Sequence, residues 1–248
     1  MTATTPDAPT YRIQGRTVTL PCHVRDASSA AASFLVNARE ARRLLPSPEL
    51  EAVEVLPGRA LLSLAAIDYR DNDLGDYDEV SIALFVREKR AGGGVPYLGP
   101  AVDLLRGRLP TCILHLPVNQ AFTCEAGCTI WGFPKTVDEI SLGPAGDRQR
   151  CRWVKDGRHV LTFSVPHGGG RAMPEQSLAT YTVLEGALHR TRFVSRAEEV
   201  GFRAGGAVVE LGDHPIADDL RALGLPRAAL FSAWMGRMVA RFEAPEKL

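Results

Sequence analysis

The sequence lacks a net charge and any long hydrophobic run. Its 248 residues include 29 Lys and Arg and 29 Asp and Glu, so the formal net charge at pH 7 is zero. This balance argues against the chain-wide basic field that binds nucleic acid or an anionic membrane. The longest apolar stretches, residues 60–67 and 82–86, are far shorter than the roughly 20 residues of a membrane-spanning helix. We therefore expect no nucleic-acid partner and no membrane partner.

The sequence also lacks a secretory signal and a disulfide framework. The N-terminus has neither a basic start nor an apolar segment. The cysteines are odd in number and widely spaced, unlike those of a small secreted protein; they are Cys22, Cys112, Cys124, Cys128 and Cys151. No second Cys or His pair with ligand spacing follows Cys124 and Cys128, so we predict packed, reduced thiols and no metal site. Together these absences predict a cytoplasmic globular protein.

The organisation of the chain is predicted to be simple. Residues 1–10 resemble a flexible leader, and residues 11–248 have enough apolar residues for one large domain. Glycine-rich breaks occur at 91–96 and 166–170, but apolar segments continue across both at similar density. Neither break has the glycine and lysine spacing of a phosphate-binding loop. We therefore predict a single domain.

Short segments with strand character dominate the pattern. Alternation of apolar and polar residues, or a short apolar run, predicts strands at 59–69, 79–86, 112–118, 121–131, 150–154, 159–165, 180–184 and 207–211. Two helices interrupt them: one at 38–45, capped by Asn37, and one at 216–223. The last segment is ambiguous, because its apolar residues fit both a helix and a strand around Trp234. Many short strands at this spacing indicate antiparallel sheet that closes toward a barrel or sandwich.

One lysine has an unusual local sequence. Lys135 follows Trp131-Gly132-Phe133-Pro134 at the end of an apolar segment. Pro134 has a fixed φ and favours an extended Phe133, so the backbone that carries Lys135 is stiff and adjoins aromatic surface. Such surroundings could desolvate the ammonium and lower its pKa. The alternative is an ordinary solvated lysine at the start of a loop.

The Gly-Phe-Pro-Lys motif of residues 132–135 resembles the signature of the acetoacetate decarboxylase-like superfamily. Further similarity lies in segments 42–46, 68–80 and 211–215, and the resemblance covers about residues 11 to 245 in the right order. It implies an α+β fold built mainly of curved, barrel-like antiparallel β-sheet with a few short helices. It also implies a strand around Trp234, a homo-oligomer, and no cofactor.

The resemblance implies a chemistry for Lys135. In the superfamily the matching lysine attacks a substrate ketone and forms a Schiff base, and the protonated imine then withdraws electrons from the adjacent C–C bond. A β-keto acid loses carbon dioxide in this way, while relatives use the same imine for aldol-type condensation and dehydration. Lowering a lysine pKa from about 10.4 to 7 requires about 4.6 kcal/mol. The expected partner is a small keto acid or ketone.

Two departures from the superfamily pattern leave an alternative open. Thr136 replaces a second lysine, and Cys128-Thr129 replaces an Arg-Glu pair after Gly127. The sequence therefore lacks the neighbouring positive charge that would lower the pKa of Lys135 by repulsion. The alternative to an enzyme is a small-molecule-binding protein that keeps the fold without turnover.

Glu79 is the second predicted catalytic residue. By resemblance it matches the acidic residue of the pocket, and it shares a strand face with Ser81 and Ala83 that could bury a carboxyl group. A buried carboxyl group is suited to donate or accept a proton. The predicted substrate pocket is completed by Tyr77, Glu125, Cys128, Trp131 and Phe133. Glu125 is included because a strand at 121–131 would place it on the same face as Gly127 and Trp131.

Overall fold

The computed structural model describes residues 8–89, 97–105 and 107–248. Most of the predicted leader (1–7) and the glycine-rich break at 91–96 lie outside these residues. The strands are β1 (Thr10–Ile13), β2 (Arg16–Thr19), β3 (Cys22–Asn37), β4 (Leu50–Ala52), β5 (Glu54–Leu56), β6 (Arg59–Asn72), β7 (Tyr77–Glu88), β8 (Thr111–Val118), β9 (Lys135–Val137), β10 (Glu139–Ala145), β11 (Arg148–Lys155), β12 (Arg158–Pro166), β13 (Arg171–Leu184), β14 (Ala187–Ala204), β15 (Val208–Leu211), β16 (Phe231–Phe242) and β17 (Glu246–Lys247). The helices are α1 (Ala38–Arg43), α2 (Leu98–Leu105), α3 (Ala121–Trp131) and α4 (Pro215–Leu223).

The large sheet closes into a barrel, as the sequence predicted. Its strands follow the order β7-β6-β3-β16-β14-β13-β8, and β8 pairs again with β7, so the hydrogen bonds form a ring. All of these pairings are antiparallel except β13–β8. Strand β9 extends the sheet by parallel pairing with the free part of β8. Closure leaves the barrel strands few unpaired edges.

The two faces of the barrel strands pack against different partners. A four-stranded sheet, β10-β11-β12-β15, covers one face with Trp153 and Phe163. Even-numbered residues of β7, such as Val80 and Ile82, are fully buried in that cluster. Odd-numbered residues, such as Tyr77, point to the opposite face, where α3 and the β1–β2 hairpin complete a second apolar cluster. Because side chains alternate along β7, one face of the strand packs in the structural core and the other face carries Glu79.

Most strand and helix predictions are confirmed. The strand around Trp234 is β16, and the pattern of residues 79–86 lies inside β7. Asn37 caps α1, since its side-chain oxygen accepts hydrogen bonds from Arg39 N–H and Glu40 N–H. Gly224, with φ of 101°, ends α4.

The prediction for residues 121–131 is wrong, because this segment is helix α3. Gln120 caps its N-terminus by accepting from Thr123 N–H, and Gly132, with φ of 65°, ends it in the left-handed region. Such caps satisfy the backbone N–H and C=O groups that are left unpaired at the two ends of a helix, and a strand has no equivalent ends. Its buried residues are Phe122, Thr123, Ala126, Gly127, Ile130 and Trp131, which is the helical period rather than the period of two.

No helix among the described residues is long and apolar enough to cross a lipid bilayer.

Candidate active site

Strand β8 brings Lys135 and Glu79 to the same face of the sheet. Glu79 of β7 is paired with Val118 of β8, and Lys135 of β9 is paired with Leu116. Val118 and Leu116 are two residues apart and therefore point to the same side. Lys135 and Glu79 thus flank β8 on the same face of the sheet. The long lysine side chain can therefore reach across β8 to the Glu79 carboxylate.

The two side chains form a buried ion pair. The distance from Lys135 Nζ to Glu79 Oε2 is 2.8 Å, and the side chains are only 3% and 8% exposed. Removing two charges from water costs several kcal/mol per ion, so a buried pair persists only with good geometry and further hydrogen bonds. The structure therefore joins the two residues predicted to be catalytic.

Further polar and aromatic groups surround the pair. Lys135 Nζ donates a hydrogen bond to Thr123 Oγ1 at 3.3 Å, and the Tyr69 hydroxyl donates to Glu79 Oε1 at 3.3 Å. The amine also lies 5.0 Å from the centroid of the Tyr77 ring, which stacks on Tyr69. Each charge is therefore hydrogen-bonded to a second group, as a buried ion pair requires.

The surroundings raise the pKa of Lys135 instead of lowering it. Burial alone lowers this pKa, but the negative charge of Glu79 and the contribution of Tyr77 outweigh burial. The direction of this shift is opposite to the one that apolar surroundings alone would produce. Contact with Glu79 thus favours the charged form of the amine.

The two tyrosines remain protonated over the ordinary pH range. Burial raises the pKa of Tyr77 to about 12, although the nearby Lys135 lowers it in part. Burial and then Glu79 raise the pKa of Tyr69 well above its usual value. Both hydroxyls are therefore available as hydrogen-bond donors beside the ion pair.

Gly127 makes room for the lysine side chain. A Cβ atom at Gly127 would lie 2.6 Å from Lys135 Cδ and 2.7 Å from Lys135 Cε. The aliphatic part of the side chain therefore passes directly against the backbone of α3. The turn back from α3 has its own requirement, since Gly132 has a positive φ and a Cβ there would lie 2.8 Å from Leu184 Cβ.

A carboxylate anchors the other side of β9. Asp138 accepts hydrogen bonds from Trp153 Nε1 at 2.9 Å and from Thr136 Oγ1 at 2.9 Å, and it forms an ion pair with Lys155 at 3.0 Å. Thr136 is exposed, because alternation along β9 directs it away from the buried Lys135 side chain. Asp138 therefore helps to hold β9 in position.

The remaining predicted pocket residues take different places. Glu125 was predicted to line the pocket, but this prediction depended on a strand at 121–131. On helix α3 the Glu125 side chain is exposed and accepts a hydrogen bond from Gln14 at 2.9 Å. Cys128 Sγ contacts the backbone oxygen of Lys135 at 3.6 Å. Trp131 and Phe133 stack on each other with ring centroids 5.6 Å apart in the same apolar cluster. Tyr77, and neither of these two rings, is the aromatic residue found at the amine.

Three contributors were not predicted from the sequence, namely Tyr69, Thr123 and the packing role of Gly127. The period of two on β6 and β7 places Tyr69 opposite Tyr77 and could have indicated the first. Thr123 and Gly127 are four residues apart, a spacing that makes them neighbours about 5–6 Å apart on a helix. On a strand the same spacing would separate them by about 13 Å, too far for both to contact one lysine side chain. The incorrect strand assignment therefore concealed both.

Asp78, the neighbour of Glu79, lies on the opposite face of β7 and should limit stability at neutral pH. Burial, and then Asp68 and Asp76, raise its pKa to about 6. The Asp78 carboxyl group thus binds a proton more tightly in the folded state than in the unfolded chain. The free energy of unfolding therefore falls as the pH rises from about 4 to 6. We expect Asp78→Asn to be more stable than the parent at pH 7, with a difference that disappears toward pH 4.

Urea unfolding of the two proteins at both pH values measures this difference. Asp147→Asn, at an exposed position in a hairpin turn, is the matched control and should leave stability nearly unchanged. An Asp78→Asn effect of equal size at pH 4 and pH 7 would contradict the assigned cause.

The sequence matches the family model described as acetoacetate decarboxylase (ADC) over residues 4–241. No curated protein sequence matches the chain. Among solved structures, acetoacetate decarboxylase from Legionella pneumophila subsp. pneumophila str. Philadelphia 1 has a TM-score of 0.67 and 13% identity, covering 92% of this chain and 87% of that chain.

Two other solved structures are also similar to this chain. An acetoacetate decarboxylase-like enzyme from Sphingomonas wittichii RW1 has a TM-score of 0.61 and 14% identity, over 99% of this chain and 98% of that one. The enduracididine biosynthesis enzyme MppR, complexed with pyruvate, has a TM-score of 0.60 and 20% identity, over 92% and 90%. At these identities the structures show a common fold. Since the family match extends over almost the whole sequence, the chain belongs to the acetoacetate decarboxylase family.

Proposed function

We propose that this protein is a lyase-type enzyme in which Lys135 forms a Schiff base with a small keto acid or ketone, most simply to decarboxylate a β-keto acid. The observation that carries the proposal is the buried Lys135–Glu79 pair at 2.8 Å. It brings the Lys135 amine and the Glu79 carboxylate into direct contact in a buried position. No metal or prosthetic group takes part in the proposed reaction, because the imine itself withdraws the electrons.

Glu79 provides a route to the neutral amine that the raised pKa of Lys135 disfavours. The ammonium cannot attack a carbonyl, but transfer of its proton to Glu79 gives a neutral amine and a neutral carboxylic acid without changing the net charge of the site. Once a substrate separates the two groups, two neutral groups cost less in a desolvated site than two separate ions. An entering substrate that displaces Glu79 from the amine therefore favours the reactive form.

The proposed reaction then uses the same proton. The amine attacks the substrate carbonyl carbon, and Glu79 protonates the hydroxyl group of the resulting carbinolamine, which leaves as water. The product is a protonated imine beside a Glu79 carboxylate. Loss of carbon dioxide gives an enamine, which is protonated on carbon, and hydrolysis releases the ketone and restores Lys135.

A second reaction, aldol-type condensation with dehydration, is favoured by the position of Glu79. A carboxylate next to the imine nitrogen is suited to remove a proton from the neighbouring carbon of a pyruvate-type substrate. The similar MppR structure contains pyruvate. Both reactions share the Lys135 imine and differ in whether a C–C bond is broken or formed.

Borohydride reduction in the presence of a keto acid tests the proposal. Reduction converts an imine at Lys135 into a stable secondary amine that trypsin does not cleave, so the peptide 109–135 should be replaced by 109–148. Acetoacetate should leave an isopropyl group if carbon dioxide is lost before reduction, whereas pyruvate should leave a carboxyethyl group. The identity of the group therefore reports decarboxylation directly.

Two variants make the test specific. Lys135→Arg keeps a cation for Glu79 but has no nucleophilic amine and should give no adduct. Lys155→Arg preserves the cation beside Asp138, outside the candidate site, and should react like the parent. Saturable binding of keto acids without an adduct at Lys135 would refute the Schiff-base mechanism and favour a binding protein without turnover.

A further inference from the structure

The proposed reaction does not use two cysteines on α3. Cys124 and Cys128 are each partly exposed, whereas Cys22, Cys112 and Cys151 are buried. Residues four apart on a helix are neighbours, with Cβ atoms about 5–6 Å apart. Among the described residues no group of three or more His, Cys, Asp and Glu side chains is arranged to bind a metal ion. The two thiols therefore form a pair without a third potential ligand.

The Cys124–Cys128 pair lies on the part of α3 that contacts Lys135. Cys128 Sγ contacts the backbone oxygen of Lys135 at 3.6 Å. Gly127, next to Cys128, packs against the side chain of Lys135, and Thr123, next to Cys124, accepts a hydrogen bond from its amine. The helical turn between the two thiols is thus the turn that holds the lysine.

We propose that Cys124 and Cys128 are a redox-active dithiol, and that their oxidation to a disulfide rearranges the turn of α3 that packs against Lys135. A disulfide requires Cβ atoms about 3.5–4.5 Å apart, which is roughly 1–2 Å closer than an undistorted helical turn allows. Closing the bond therefore tightens or unwinds residues 124–128. A strained and partly exposed disulfide is easily reduced again, which suits a reversible modification.

The chemical step is balanced with hydrogen peroxide as the oxidant. One thiolate attacks a peroxide oxygen, the O–O bond breaks, and a sulfenic acid and a hydroxide ion result. The hydroxide ion takes up the proton that the thiol had released and becomes water. The second thiol attacks that sulfur, the S–O bond breaks, and a second water leaves. The two sulfurs lose two electrons, which the peroxide accepts.

The environment of the pair predicts how fast this reaction occurs. Burial, and then the neighbouring Cys128 thiol, raise the pKa of Cys124. Thiolate is therefore scarce at neutral pH, and oxidation should be faster in alkaline solution. A protein reduced and stored at neutral pH should keep both thiols.

The sequence supplies a direct test, because Glu125 lies between the two cysteines. The reduced full-length protein is treated with hydrogen peroxide, the remaining thiols are alkylated, and the chain is cleaved after glutamate. We expect the peptide that ends at Glu125 and the peptide that begins at Ala126 to remain linked until a reductant is added. Cys124→Ser and Cys128→Ser should abolish the link, whereas Cys112→Ala should retain it.

Hydrogen–deuterium exchange of residues 121–135 measures the rearrangement and does not depend on any enzymatic activity. We expect amide exchange in this segment to become about tenfold faster in the oxidised parent, to return to its initial rate after reduction, and to stay unchanged in peroxide-treated Cys124→Ser. Separate oxidation of the two sulfurs without a linked peptide, or a link without faster exchange, would overturn the proposal. Both readouts remain interpretable if Lys135 forms no imine.

Discussion

Replacement of Glu79 by glutamine is expected to lower turnover by about 10²–10⁴-fold, the usual contribution of a general acid–base group. Glutamine occupies nearly the same volume and still accepts a hydrogen bond from Tyr69, but it cannot exchange a proton with Lys135. The carbinolamine then lacks the acid that expels water. The loss should therefore appear mainly in kcat.

The same variant should change the ionisation of Lys135 in a predictable direction. Without the carboxylate, the lowering effect of burial on the Lys135 pKa loses its main opponent. The amine should become neutral at a lower pH than in the parent, so slow trapping by borohydride should persist and should extend toward lower pH. Trapping measured against pH therefore separates the loss of the proton carrier from a collapsed site.

Asp78→Asn is the matched control for Glu79→Gln. It changes the adjacent residue of β7 in the same chemical way, but on the face that points away from Lys135. Turnover in this control should stay within about twofold of the parent, as expected for a change outside the site. Turnover of Glu79→Gln within threefold of the parent would contradict the role of Glu79 as proton carrier.

The second large effect is expected from Gly127→Ala, which should reduce trapping at Lys135 by about 10²-fold or more. The added Cβ would lie 2.6 Å from Lys135 Cδ, in the middle of a side chain whose end is held by Glu79 and Thr123. The lysine or the helix must shift, and a misplacement of about 1 Å is enough for a loss of this size. Intrinsic helix propensity acts in the other direction, since alanine favours a helix over glycine by about 1 kcal/mol.

Gly143→Ala provides the control for this substitution. Gly143 lies in β10, where an added Cβ meets no atom within 4 Å and φ is not in the positive region. Its trapping rate should equal that of the parent, and circular dichroism should show that both variants are folded. Equal trapping rates in Gly127→Ala and Gly143→Ala would show that the close approach of α3 does not position Lys135.

Helix α3 shows how a local sequence pattern can suggest the wrong secondary structure. The alternation of Phe122, Cys124, Ala126, Cys128 and Ile130 fits a strand, yet the segment is helical. Small residues such as Ala126 and Gly127 are weak evidence for either period, so the end signals decide between them. Gly132 was such a signal at the C-terminus, whereas Gln120, which caps the N-terminus, is not a usual capping residue.

Two long strands were missed for a related reason. Much of β3 is a run of alanine and serine, which have little preference for sheet, and β14 contains many charged residues in an irregular pattern. Their conformation comes from pairing: β3 lies between β6 and β16, and β14 lies between β13 and β16. Tertiary context thus overrides weak local propensity.

The sequence by itself determined the period of two along β7, the capped ends of α1 and α4, and the stiff turn that carries Lys135, because each depends on residues close together in the chain. Its Gly-Phe-Pro-Lys motif singled out Lys135, and the resemblance to the family singled out Glu79. Only the tertiary structure decided that these two meet across β8 with Thr123 and Tyr69, since register between strands is a non-local property. It also decided the charge of the lysine, because the pKa depends on the carboxylate 2.8 Å away and not on the aromatic residues beside Lys135 in the sequence.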